Sequence, residues 1–163
     1  MNNSSLSLKE IAWLIAFVII CQAAGGLGAA STSGSIQDWY QYLNRPALTP
    51  PNWVFGPVWI TLYTMMAISL WLVWRLRTSM NVTVSVVVFA VQLLANTLWT
   101  PLFFGVHLLF IALINIIVLL LLIVAYIVVT LSVSRLAALL MIPYALWVAF
   151  ATYLNYGFWQ LNG

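Results

Sequence analysis

The chain has 163 residues, of which 65% are hydrophobic and 4% charged. A soluble domain carries about 25% charged residues, so this chain lacks the polar surface to be stable in water and takes lipid as its solvent. Its net charge of +3 comes from Lys9, Arg45, Arg75, Arg77 and Arg135 against two acids, too sparse for the clustered cations that phosphate binding needs, which excludes nucleic acid as a partner. Cys21 is the one cysteine; it excludes an internal disulfide and a thiolate metal site, and it reads as an apolar packing residue.

About 20 apolar residues cross a bilayer as a helix. Spans are predicted at 11–30, at 53–74 (closed by Arg75 and Arg77), and at 80–104, 108–129 and 136–158. The expected fold is therefore an all-α integral membrane protein. It is a single five-helix transmembrane domain over 1–163, with a long loop at 31–52 between helices 1 and 2. The turns around Gly105 and His107 and at Ser132–Arg135 are short, which makes antiparallel neighbours. A β-barrel is excluded because its strands alternate apolar and polar residues, and LLFIALINIIVLLLLIVAYIVV does not. The first apolar run is longer than the core of a cleaved signal peptide. No internal repeat is visible, and five spans do not divide into the equal halves of many carriers. Lys9, Arg75, Arg77 and Arg135 fall on one side and Arg45 on the other. The positive-inside rule then places the N-terminus in the cytoplasm and the long loop outside, in a multi-pass membrane protein.

Polar residues within spans are rare and face the protein interior. In the third span Gln92, Asn96 and Trp99 follow at i, i+4 and i+7 and share one helical face, with Thr100 and Pro101 next. In the fifth, Tyr144, Trp147, Ala151 and Asn155 form a second face, and in the second, Trp59 and Tyr63 are i and i+4. Asn115, in the fourth, is expected to hydrogen-bond a neighbouring helix, a contribution of about 0.6 kcal/mol. Trp13, Trp71, Trp74 and Trp159 lie near span ends and read as interfacial belt residues. Trp59, Trp99 and Trp147 stand apart from that belt, and buried indoles need partners for their N–H donors. A flat aromatic ligand with polar edges fits such a lining; ordinary core packing fits it as well.

His107 sits alone in a turn, as a surface or capping residue. No second histidine completes a metal site, so no metal is expected. Glu10 and Asp38 are the only acids and fall outside the predicted spans. Paired carboxylates, a catalytic triad, a phosphate loop and an intramembrane proton relay are therefore excluded. In AAGGLGAAS, Ala24 with Gly28, Gly25 with Ala29 and Gly26 with Ala30 place small residues one turn apart. They allow close helix contact, within one copy or between two.

Three blocks in order carry a family resemblance. WYQYLNRPALTPPNWVFGPVWITLY (39–63) resembles the pattern W-Y-x-x-L-x-K/R-P-x-x-x-P-P-x-W followed by P-x-W-x-x-L-Y. QLLANTLWTPLFFG (92–105) and MIPYALWVAFATYLNY (141–156) are similar to the third- and fifth-helix signatures. They belong to the translocator protein family (TspO/MBR), also called tryptophan-rich sensory proteins or peripheral-type benzodiazepine receptors; this chain resembles its bacterial-type members.

The resemblance implies a five-helix bundle, often a homodimer, here through its small-residue faces. It implies binding of porphyrins (protoporphyrin IX, haem) and benzodiazepine-type ligands inside the bundle, for tetrapyrrole sensing, buffering or transport, with no obligatory cofactor. The implied ligand-binding residues are Tyr40, Pro50, Trp59, Tyr63, Asn96, Trp99, Trp147 and Ala151. An alternative is light- and oxygen-dependent breakdown of protoporphyrin IX, with Trp59 and Trp147 as the implicated residues and no conventional catalytic motif. A structural or partner-binding bundle is a third reading. Two departures matter. Asn115 stands where many relatives carry Asp, and Leu154 and Tyr156 are not followed by the basic residue of the sterol motif, so sterol binding is expected to be weak or absent. Prolines fix φ and oppose helix, so RPALTPP is expected to form a stiff lid, with Trp53 as its anchor and Trp59 as a pocket wall.

Overall fold

The computed structural model describes residues 7–32 and 35–163, and the side chains of Ser31, Ile36 and Gln37 are not among those described. Five helices are long and apolar enough to cross a membrane, and the described residues contain no strand.

Helix α1 (Leu8–Thr32) starts three residues before the predicted span. The Oγ of Ser7 accepts from the N–H of Glu10 at 3.3 Å and caps its first turn, satisfying one of the free donors there. Glu10, expected outside the spans, thus lies in the first turn, where a negative charge offsets the helix dipole. Its carboxylate pairs with Arg75 at 3.3 Å, so α1 and α3 close together at this end.

The connection at 31–52 is not a plain loop. It contains the short helix α2 (Ser35–Asp38) and a 3₁₀ turn, Tyr40–Tyr42; positions 33 and 34 lie outside the described residues. Residues 43–51 are non-helical, as expected for RPALTPP (45–51) from its prolines. The segment is held down by Pro46, which is buried against Gly157, and by Asn162, whose side chain bonds the backbone of Asn44 at 2.9 and 3.0 Å. The lid anchor expected from Trp53 is corrected: it is 75% exposed and points away from the bundle. It is the first residue after Asn52 in α3, and the helical turn there carries it outward.

Helix α3 (Asn52–Arg75) contains Pro57. It is followed by α4 (Thr83–Thr100), a π-helical turn at Pro101–Gly105, and α5 (Leu109–Leu131). His107 follows that turn with φ +57° and stacks on Trp39, ring centroids 4.0 Å apart. The fifth span is two helices, α6 (Arg135–Leu140) and α7 (Ile142–Asn162), broken at Met141. Pro143 explains the break, since it has no N–H to continue the α6 ladder. The Oγ of Ser134 caps α6 through the N–H of Ala137 at 3.3 Å.

Around the bundle the order is α3, α1, α4, α5, then α6 and α7, which return to α3. The interior is filled at the Arg75 end. Ser69, Val73, Ile123, Tyr126, Ala137 and Met141 are all fully buried there. Ser69 donates to the carbonyl of Ala137 at 2.8 Å and shares a hydrogen bond with the Tyr126 hydroxyl at 3.0 Å.

Two expectations about single residues change. Trp71 is not a belt residue: it is 8% exposed, and its indole donates to the carbonyl of Glu10 at 2.9 Å, tying α3 to α1. Asn115 does not place its oxygen on a neighbouring helix; Oδ1 is buried without a hydrogen-bond partner. Two of the small residues of α1, Gly25 and Gly28, serve contacts within one copy. A Cβ on Gly28 would come within 2.9 Å of Thr100 Oγ1, and Gly25 lies directly against the Tyr63 ring. Cys21 is fully buried, in keeping with an apolar packing role.

Candidate functional site

The end of the bundle beneath the lid holds a cavity of about 560 Å³. That lies within the range of about 300–1,000 Å³ of small-molecule sites. Every long helix contributes: α1, α3, α4 and α7 turn aromatic or small residues inward at this level, and α5 turns Ile116 and Leu119.

From α3 come Phe55, Trp59 and Tyr63; from α4, Asn96 and Trp99; from α7, Trp147 and Ala151; and from the lid, Tyr40. Seven of the eight residues named from the sequence therefore share one wall system. Pro50 does not: it is half-buried in the lid and lies outside the lining. Its φ constraint shapes the lid backbone and turns the side chain away from the cavity.

A chain of hydrogen bonds stiffens the wall. Tyr63 Oη donates to Asn96 Oδ1, Asn96 Nδ2 donates to Tyr144 Oη at 2.6 Å, and Tyr144 Oη donates to Gln92 Oε1 at 3.2 Å. Tyr144 and Gln92 are fully buried behind the lining. The face Gln92–Asn96–Trp99 is thus divided: Asn96 and Trp99 meet the cavity, and Gln92 orients Asn96 from behind through Tyr144. Trp99 Nε1 donates to Asn155 Oδ1 at 2.9 Å, and Asn155 Nδ2 donates to the carbonyl of Leu109 at 3.0 Å. Trp147 Nε1 is buried with no partner. An indole N–H without an acceptor costs about 1–3 kcal/mol.

The rings are set for stacking. Trp59 lies 5.5 Å from Tyr63 at 31°, and Trp147 meets Phe55 edge-on at 5.9 Å and 70°. Trp99 lies 5.2 Å from Phe103. Phe103, Phe104 and Phe158 close the lid end around Tyr40. These phenylalanines escaped the sequence reading. The signal available for Phe103 and Phe104 was FF just after Trp99-Thr100-Pro101-Leu102; the π-helical turn that holds them is a device common at functional sites.

No charged side chain lines the cavity among the described residues. The nearest cation is Arg45, whose guanidinium rests on the outer face of the Tyr40 ring at 5.0 Å. Burial pushes the Tyr40 phenol above its ordinary range, and Arg45 partly offsets this. The site is thus an apolar, aromatic slot with a few fixed hydrogen-bonding groups. It has the parts to bind a flat ligand and none of the acid–base pairs that hydrolysis needs.

The sequence pattern that defines the TspO/MBR family matches residues 17–160. The chain belongs to that family. It is 40% identical over 147 residues to Protein CrtK of Rhodobacter capsulatus, covering 90% of each chain. It is 38% identical to the tryptophan-rich protein TspO of Chlorobaculum tepidum, covering 94% of this chain and 98% of the relative. It is 35% identical to the translocator protein of Bos taurus, covering 91% and 89%. The TspO/MBR member described here is therefore an integral, multi-pass membrane protein with a bundle of five transmembrane helices.

Proposed function

We propose that this TspO/MBR protein binds porphyrins, protoporphyrin IX or haem, and flat synthetic ligands of the benzodiazepine type, in the aromatic cavity beneath the lid. It would act in tetrapyrrole sensing, buffering or transport. The observation that carries this reading is the convergence of Trp59, Trp99 and Trp147 on one cavity of about 560 Å³ with Asn96 and no charged lining residue. Ring faces supply stacking, and each aromatic pair formed adds about 0.5–1.5 kcal/mol beyond the area it covers. The names of the relatives, tryptophan-rich protein and translocator protein, accord with such a role.

A second reading rests on the same wall. Trp59 and Trp147 both line the cavity, so a porphyrin held there would be clasped by two oxidisable indoles. Light would supply the energy, dissolved oxygen the oxidant and a pocket indole an electron to the excited ring, with the rest of the protein supplying position.

One titration tests both. Intrinsic tryptophan fluorescence in detergent, titrated with protoporphyrin IX in the dark, should quench saturably, and Trp59→Ala and Asn96→Ala should abolish the saturation. Illumination then separates the readings. Stable porphyrin absorbance supports a sensor, buffer or carrier; falling absorbance with a new product, stopped by Trp147→Phe with binding intact, supports breakdown. Absence of saturable quenching would return the wall to ordinary packing.

A further inference from the structure

Helices α1 and α3 run antiparallel and touch along most of their length, but the contact changes character above Gln22. There the side chain of Gln22 joins the helices: Nε2 donates to the carbonyl of Ile60 and to Thr64 Oγ1, both at 3.0 Å. In antiparallel helices, four residues on from Gln22 and four back from Ile60 lie at one level, and these are Gly26 and Gly56. Both are exposed, both line the cavity, and a Cβ added to either would meet nothing within 4 Å. Their neighbours on α1 behave oppositely, since Gly25 is pressed on Tyr63 and Gly28 on Thr100. The open space is therefore local to one slot, and Ala29 and Ile60 (60% exposed) complete its rim.

The level of this slot is inside the apolar segments, and the outer surface beside it is apolar too. Leu27 is 65% exposed and Ile19 62%. A gap at this depth faces acyl chains, where a backbone without side chains is tolerated because each helix satisfies its own hydrogen bonds. The lid side is the opposite case, closed by Tyr40, by Pro46 on Gly157 and by the Asn44–Asn162 pair.

We propose that the slot between α1 and α3 is a lateral portal, with Gln22 as its sill, through which flat, lipid-dissolved ligands pass between the bilayer and the cavity. This rests on the ligand-binding reading above and adds the route and the ligand class. The ligands that use it are planar and apolar enough to partition into lipid, and two glycines set the width that admits an aromatic plate edge-on. Gln22 keeps the helices joined below the slot, so the cavity opens sideways and does not run the length of the bundle.

The test is the rate of uptake. Wild type, Gly26→Leu and Gly56→Leu in lipid nanodiscs are mixed with protoporphyrin IX in the dark, and tryptophan quenching is followed by stopped flow. Narrowing the slot should slow association by about tenfold, whatever the added side chains do to the equilibrium affinity from their place on the cavity rim. Unchanged association in both variants would overturn the portal. Helical circular dichroism and thermal melting confirm that each variant is folded. If neither variant folds, wild type alone decides at fixed total porphyrin. A rate that follows porphyrin per lipid as the lipid-to-protein ratio varies supports the portal, and one that follows aqueous porphyrin overturns it. Wild type that takes up no porphyrin overturns the proposed function and the portal together; binding with rates indifferent to both glycines overturns the portal alone.

Discussion

The two ends of the bundle are built from the same helices and are filled differently. At the Arg75 end, the short helix α6 wedges between α3 and α5, and the side chains between them leave no exposed surface: Val73, Ile123, Tyr126 and Ala137 are fully buried. At the lid end, α6 gives way to α7 beyond Met141, and aromatic rings wall off a cavity of about 560 Å³ without filling it. Close packing by small and branched residues holds the helix axes apart at a set spacing. Large flat residues on those same axes then stand facing each other across a gap. The difference teaches that the filled half is what keeps the open half open. Lipid tails are as apolar as leucine, so helices in a bilayer are held by packing and hydrogen bonds and not by the hydrophobic effect.

That contrast can be broken from either end. The largest effect is expected from filling the cavity. Ala151→Trp places an indole where a ligand ring would lie, and porphyrin affinity should fall by about 100-fold, a loss of about 2.7 kcal/mol, with thermal melting close to wild type. Tryptophan quenching and a melting curve on the same sample check both halves of the statement. The mirror experiment is Ile123→Ala in the filled half. It should cost about 2–4 kcal/mol of stability through the cavity it leaves and change porphyrin affinity by less than about twofold if the halves are separable. A large loss of binding there would mean that the open half depends on each side chain of the filled one.

Smaller effects sharpen the boundary between the two. Tyr144→Phe breaks the link between Asn96 and Gln92 and leaves buried amide atoms unmatched. It should lower stability by about 1 kcal/mol and weaken porphyrin binding several-fold, read by the same titration. Gly157→Leu would collide with Pro46, whose Cγ lies 2.6 Å from where a Cβ would stand. The lid should lift, and porphyrin should dissociate a few-fold faster with little change in melting. The smallest effect concerns Tyr40. Its phenol is held above the ordinary range by burial, with Arg45 opposing. The folded state therefore favours the protonated form, and the stability this lends is present below the ordinary tyrosine range and lost as pH climbs through the raised value. Arg45→Gln removes the opposing charge and should move Tyr40 ionisation further up. Phenolate absorbance in an alkaline titration, referenced to Tyr40→Phe, reads the shift.

What the amino-acid sequence determined by itself is the solvent, the helices and most of the wall. A chain with 4% charge has no route to a soluble fold, and apolar runs of bilayer length satisfy their backbone only as helices. The i, i+3 spacing of Asn96 and Trp99 and the i, i+4 spacing of Trp147 and Ala151 fix which residues share a face, since helical period is a local property. Tertiary structure decided everything that depends on what lies opposite a face. Gln92 and Asn96 share a helical face, yet one is buried behind Tyr144 and the other meets the cavity. Gly25, Gly26 and Gly28 read as one small-residue stripe, yet Tyr63 and Thr100 cover two of them and nothing covers the third. Trp53 and Trp59 stand six residues apart on one helix, and the neighbours of that helix leave the first outside and place the second in the cavity wall. Spacing along a helix is set by its own hydrogen bonds; the partner across the gap comes from distant parts of the chain, and only the packed bundle brings it there.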